Sequence, residues 1–210
     1  MSPAKKPTSK VTPIKRKAEQ SSYYQVKVML ESCPLPVWRR LVMRSDAPLS
    51  LVHEILQVVV GWGNNHTHLF ITSKTQYGAP NPDMPKVQDH HHIRLSEVMK
   101  KIGDAMVYDY DLSETWHHNI VLEEIIPTND TSMLARCLMG KRACPPEDVG
   151  GPIGYARFLE AIEDPLHEDH QDDLDWIECD FDPDAFDARL ANMRLELMED
   201  QIREGEIVSV

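Results

Sequence analysis

Tyr23-Tyr24-Gln25-Val26-Lys27-Val28-Met29-Leu30-Glu31-Ser32-Cys33-Pro34-Leu35-Pro36-Val37-Trp38-Arg39-Arg40-Leu41-Val42-Met43 decides how this chain folds. Tyr24, Val26, Val28 and Leu30 alternate with Gln25, Lys27, Met29 and Glu31, the period of a half-buried strand. Pro34 and Pro36 end that strand. A second strand follows over Val37–Met43, with Trp38, Arg40 and Val42 on one face and Arg39 and Leu41 on the other. The short gap between them predicts an antiparallel pair.

On the N-terminal side, residues 1–22 are rich in Lys, Pro, Ser and Thr and read as a disordered basic arm. The arm carries six basic side chains against Glu19, a balance of +5, which leaves -17 on the rest of a chain of net charge -12. Basic residues 5–17 could meet an unknown protein partner or nucleic acid. The folded body is acidic, with thirteen Asp or Glu and no Lys or Arg over residues 160–187, which argues against a duplex-binding face there. Neither a secretory leader nor an apolar run of spanning length is visible, so the expected setting is cytoplasmic and off the membrane. The four cysteines, Cys33, Cys137, Cys144 and Cys179, are then expected as thiols or metal ligands.

On the C-terminal side, Asp46 and Pro48 open a helix whose apolar stripe is Leu51, Val52, Ile55, Leu56 and Val59, stopped by Gly61. A strand is predicted over His66–Thr72, with His66, His68 and Phe70 on one face. Residues 73–93 read as a long loop ending in the solvated run His90-His91-His92. A short helix is placed at Ser96–Lys101, then two strands at about 105–112 and 116–126. In the first of these, Asp109 and Asp111 share a face; in the second, Trp116, His118, Ile120 and Leu122 do. Residues 128–152 read as a loop, and helices follow at Tyr155–Ile162, His167–Glu178 and 183–203. The order β-β-α-β, short helix, β-β, then helices defines an α+β fold with a mostly antiparallel sheet and a C-terminal helical part. The expected layout is one domain over residues 23–204 with a frayed end at 205–210.

The chemically dense stretch is Gly140-Lys141-Arg142-Ala143-Cys144-Pro145-Pro146-Glu147-Asp148-Val149-Gly150-Gly151-Pro152-Ile153-Gly154-Tyr155. Its Pro and Gly content disfavours helix or central strand. Glu147-Asp148 could bind a cation or act as base, or simply accept hydrogen bonds from loop amides. Cys144 as a nucleophile would need a base such as His118 or His68.

His66-Thr67-His68 is the pattern that best suits a metal, since alternate strand residues project together. His53, His118, Asp109 and Asp111 could complete a site for a divalent metal. The favoured ligand set is His66, His68, Asp109 and His118, under a cleft that adds His53, Asp111, Cys144, Glu147 and Asp148. That cleft is expected between the sheet and the Gly140–Tyr155 loop. Hydrogen bonding among the same side chains is the competing explanation.

Taken together, Tyr24-Gln25-Val26-Lys27-Val28, Pro36-Val37-Trp38-Arg39-Arg40, Leu51-Val52-His53 with Gln57, Gly61-Trp62, His66, His68 and Phe70 make an ordered set of motifs. Tyr108-Asp109-Tyr110-Asp111 with Trp116 and His118, the Gly140–Tyr155 stretch, Trp176 and Phe181-Asp182-Pro183 extend it. In this order they resemble the plasmid pRiA4b ORF-3-like family over about residues 23–190. The resemblance implies an α+β fold and an association with plasmids and mobile elements. It carries no settled activity and no catalytic residue. Two departures stand out: Leu112-Ser113-Glu114 where the family usually has Phe-Gly-Asp, and Val149 where it usually has a second cysteine. Val149 removes a partner for Cys144 in any thiolate-metal pair.

Two readings of function follow. One is an uncharacterised binding or interaction module. The other is a metal-dependent hydrolase or nuclease using a His/Asp site and metal-activated water.

Overall fold

In the computed structural model, which describes residues 21–177 and 181–205, strands β1 (Ser22–Leu30) and β2 (Trp38–Arg44) pair antiparallel with Tyr24 opposite Met43 and Val28 opposite Arg39. Residues 1–20 of the expected basic arm, Cys179 and the last five residues lie outside the described residues, and Ser22, placed in the arm from sequence, belongs to β1. Alternation sends Tyr24, Val26, Val28 and Leu30 into the core. Helix α1 (Leu49–Val60) covers that face with Leu49, Val52, Ile55, Leu56 and Val59 and ends at Gly61.

The remaining strands are β3 (His68–Ile71), β4 (Gln76–Gly78), β5 (Gln88–Asp89), β6 (Ala105–Tyr110), β7 (Trp116–Pro127) and β8 (Ala135–Lys141). They join β1 and β2 in a sheet ordered β5-β4-β3-β6-β7-β1-β2-β8. Every pair is antiparallel except β4–β5. Helices α2 (Leu95–Val98), α3 (Gly151–Glu163), α4 (His170–Ile177) and α5 (Ala188–Glu204) complete an α+β architecture. None of the described helices is long and apolar enough to cross a membrane.

Five segments differ from the sequence expectation. The 73–93 loop contains β4, β5 and a 3-10 turn at His90–His92. The 128–152 loop contains β8, an edge strand. Its Arg136, Leu138 and Met139 face outward and give it no clean alternation to read. The predicted strand at His66–Thr72 starts at His68 instead, so His66 belongs to the connection before it. The helices near the C-terminus are also shorter than expected, α4 beginning at His170 and α5 at Ala188.

The β8 edge is covered by α5. Asn192 accepts from the Cys137 N–H at 2.8 Å and donates to the Cys137 carbonyl at 2.9 Å. One side-chain amide thus substitutes for the next strand, and Glu199 accepts from the Leu134 N–H at 3.3 Å farther along.

The Gly140–Tyr155 stretch runs from the last residues of β8 into the first turn of α3 and acts as a clamp. Arg39, 3% exposed, donates to the carbonyls of Val59, Trp38 and Lys141 and to the Cys144 thiol. Its guanidinium also stacks on Phe186 at 3.9 Å. A Cβ at Gly140 would lie 2.6 Å from Phe186 and 2.8 Å from Arg39, so only glycine admits this approach. Trp62 Nε1 donates to the Pro145 carbonyl at 2.8 Å. Glu147 accepts from the Gly63 N–H and the Tyr110 hydroxyl. The Glu114 carboxylate accepts from the Gly150 and Gly151 N–H groups, the orphan donors at the start of α3.

Candidate functional site

The concave feature of interest is a cavity of about 700 Å³ between α1, the start of β3, residues 79–91 and the end of α5. Leu51, Pro80, Pro82, Met84, Met198 and Ile202 supply apolar wall, and His53, His66, His68, His90 and His91 supply imidazoles. This corrects the expected location, between the sheet and the Gly140–Tyr155 loop. That loop is pinned to Trp62, Gly63 and Tyr110 by the bonds above, which close the space a cleft would need.

His53 is buried on α1 and fully engaged. Tyr108 donates to its Nδ1 at 2.7 Å and accepts from the Gln57 side-chain amide at 2.9 Å. Its Nε2–H donates to Asn64 Oδ1 at 2.7 Å. Asn64 is held by Glu54 and by the Gln57 side-chain oxygen. The Gln57 spacing that places it beside His53 on the helix therefore builds a closed network. Burial pushes the His53 pKa down to about 4, with repulsion from His90 adding to it.

His68 stacks on His53, ring centroids 3.5 Å apart and planes within 9°. Its Nε2 lies 3.3 Å from Nδ1 of His90. His90, read from sequence as part of a solvated run, is 3% exposed. Asp89 caps the 3-10 turn by accepting from the His91 N–H at 2.9 Å; the turn packs against α1 with His90 buried beside His68 and His92 exposed. Burial, then repulsion from neighbouring imidazoles, lowers the His68 pKa to about 2 and that of His90 to about 4. At neutral pH these rings are uncharged, each with one N–H and one lone pair.

The other expected residues separate. Asp109 projects from the opposite face of β6 and pairs with His117. Asp111 has φ 52°, which turns it out of the strand, so the two aspartates do not share a face. It accepts from Ser113 and lies 3.8 Å from His66 Nδ1, while Asp148 lies 3.2 Å from His66 Nε2. His118 is buried on β7, its Nδ1 within reach of the Trp116 and Tyr108 carbonyls at 3.0 and 3.2 Å. Burial holds its pKa down to about 4. The quartet His66, His68, Asp109 and His118 therefore does not converge. Each member belongs to a separate arrangement, because Asp109 alternates to the far face and His66 precedes the strand.

Cys144 has Arg39 as its hydrogen-bond partner, and burial pushes its thiol up despite that cation. A raised thiol without an adjacent imidazole is a poor nucleophile. Cys33, Cys137 and Cys144 are free thiols. Glu147 takes the amide-satisfying role, one of the several the sequence left open for it.

The fold and cavity define a class: an α+β protein with a largely antiparallel sheet and an imidazole-lined cleft at one end. Residues 22–190 match the model of the plasmid pRiA4b ORF-3-like protein family, and the chain belongs to that family. It is 36% identical over 160 residues to the uncharacterized protein y4hQ of Sinorhizobium fredii (strain NBRC 101917 / NGR234), covering 74% of this chain and 81% of that protein. It is also similar to the crystal structure of MM3350 from Methanosarcina mazei Go1, a protein of unknown function. That match has a TM-score of 0.72 at 29% identity and covers 81% of this chain and 97% of the other.

Proposed function

We propose that this protein is a binding module whose site is the cavity between α1, β3, residues 79–91 and α5. The observation that carries this reading is the cavity's size and composition. A space of about 700 Å³ with apolar walls and a few convergent polar groups suits a compact organic ligand. The apolar body would lie against Leu51, Met84, Met198 and Ile202. Its hydroxyl or amide end would meet His68 and His90, which offer both a donor and an acceptor while uncharged. A cytoplasmic setting and a link to mobile elements accompany this reading, supported by the family's plasmid association alone. The hydrolase or nuclease alternative loses its support, since Asp109 and His118 do not join His66 and His68.

The test is a panel of small aromatic and aliphatic alcohols and amides, followed by methyl and imidazole resonances of the untagged protein. Binders should shift Met84, Met198 and His68 together, and Met84→Trp, which fills the space, should abolish those shifts. A panel without binders, or shifts scattered away from the cavity, refutes the reading.

A further inference from the structure

The wall of this cavity holds four imidazoles in sequence: His53 on His68, His68 beside His90, and His90 beside His91, with successive centroid separations of 3.5, 5.0 and 4.4 Å. His53 is occupied at both nitrogens. His68 and His90 meet nitrogen to nitrogen at 3.3 Å. A tetrahedral ion with metal–nitrogen bonds of about 2.0 Å sets two ligand nitrogens roughly 3.3 Å apart. We infer that His68 Nε2 and His90 Nδ1 form a site for a borderline divalent transition metal, zinc, nickel or copper, with its other positions open to the cavity.

The surroundings hold both rings in place. His53 fixes the plane of His68 by stacking, and is itself locked by Tyr108 and Asn64. Asp89 fixes the turn that carries His90 and also pairs with the His91 ring. Such second-layer support is what holds metal-binding imidazoles in orientation. Imidazole donors favour zinc, nickel or copper over magnesium or calcium. The His66, Asp111 and Asp148 group is the weaker arrangement. Its three ligand atoms lie within 4.8 Å of one another, but Asp148 is exposed, so a solvated carboxylate would have to give up water to complete it.

The ion takes the two nitrogens that the proposed ligand's polar end would otherwise meet, and its titration uses no organic ligand, so the two proposals fail separately. The experiment is a titration of untagged, chelator-stripped full-length protein with Zn²⁺ by calorimetry and with Co²⁺ by visible absorption. One equivalent should bind at micromolar metal, and His68→Ala or His90→Ala should each weaken it by roughly a hundredfold. His66→Ala and Asp148→Asn should leave it unchanged. In the unmodified protein Zn²⁺ should move the imidazole nitrogen resonances of His68 and His90, a readout independent of variant folding. Absence of stoichiometric binding to the unmodified protein overturns the proposal. So does a site that survives both alanine variants, or zinc-induced shifts confined to His66.

Discussion

Replacing Arg39 with methionine should destabilise the protein by about 3 kcal/mol. The guanidinium is buried and donates at 3.2 Å to Val59, 2.9 Å to Trp38, 3.0 Å to Lys141 and 3.2 Å to Cys144. These groups come from the end of α1, from β2 and β8, and from the loop after β8. Four hydrogen bonds to a charged donor, at about 1 kcal/mol net each, give roughly 4 kcal/mol. Removing the charge recovers part of its desolvation cost, which brings the sum to about 3 kcal/mol. For a chain of this size that is a fall in Tm of roughly 6–12 °C. Arg39→Lys should recover little, because an ammonium cannot reach divergent carbonyls with a planar fork. Gly140→Ala disturbs the same clamp through Phe186, so the double variant should cost less than the two single changes added. Urea unfolding followed by tryptophan fluorescence measures each value. An Arg39→Met protein within about 0.5 kcal/mol of the unmodified one would refute the clamp, as would strict additivity with Gly140→Ala.

Asn192→Ala should bare the Cys137 N–H and carbonyl on the β8 edge, costing about 1–3 kcal/mol and promoting association through that edge. Light scattering across a concentration series reads the association, and an unchanged monomer signal with unchanged stability counts against edge covering. His118, whose folded pKa is lowered to about 4, makes the protein less stable in acid. The unfolded chain takes up this proton near its ordinary value and the folded chain does not. The contribution is therefore full above pH 6.5 and is lost as pH falls toward 4, up to roughly 3 kcal/mol. Denaturation midpoints between pH 7 and pH 5 should fall less steeply in His118→Phe, and identical slopes would exclude the histidine as a source.

Much of the fold was legible because it rests on local periodicity. The alternation at Tyr24–Leu30 and the helical stripe from Leu51 to Val59 report burial directly, and both elements form the core as read. β8 was hidden because an edge strand shielded by Asn192 exposes Leu138 and Met139 and shows no two-residue period. The candidate site was less legible. His53 and His68 could be nominated from sequence, but His90 sat inside a polar run whose solvation was the natural expectation. Only the cap by Asp89 and the packing of that turn against α1 bury it.

His66-Thr67-His68 shows the same division at a single place. Strand alternation would aim both histidines at one ion, yet β3 begins at His68, so one ring enters the imidazole stack and the other goes to the aspartates. The sequence by itself determined the α+β class, the first strand pair, α1 and the family. Tertiary structure alone decided which of the histidines meet. Ring-to-ring contact depends on where each strand starts and which loop is folded beneath it, and neither has a periodic signature along the chain.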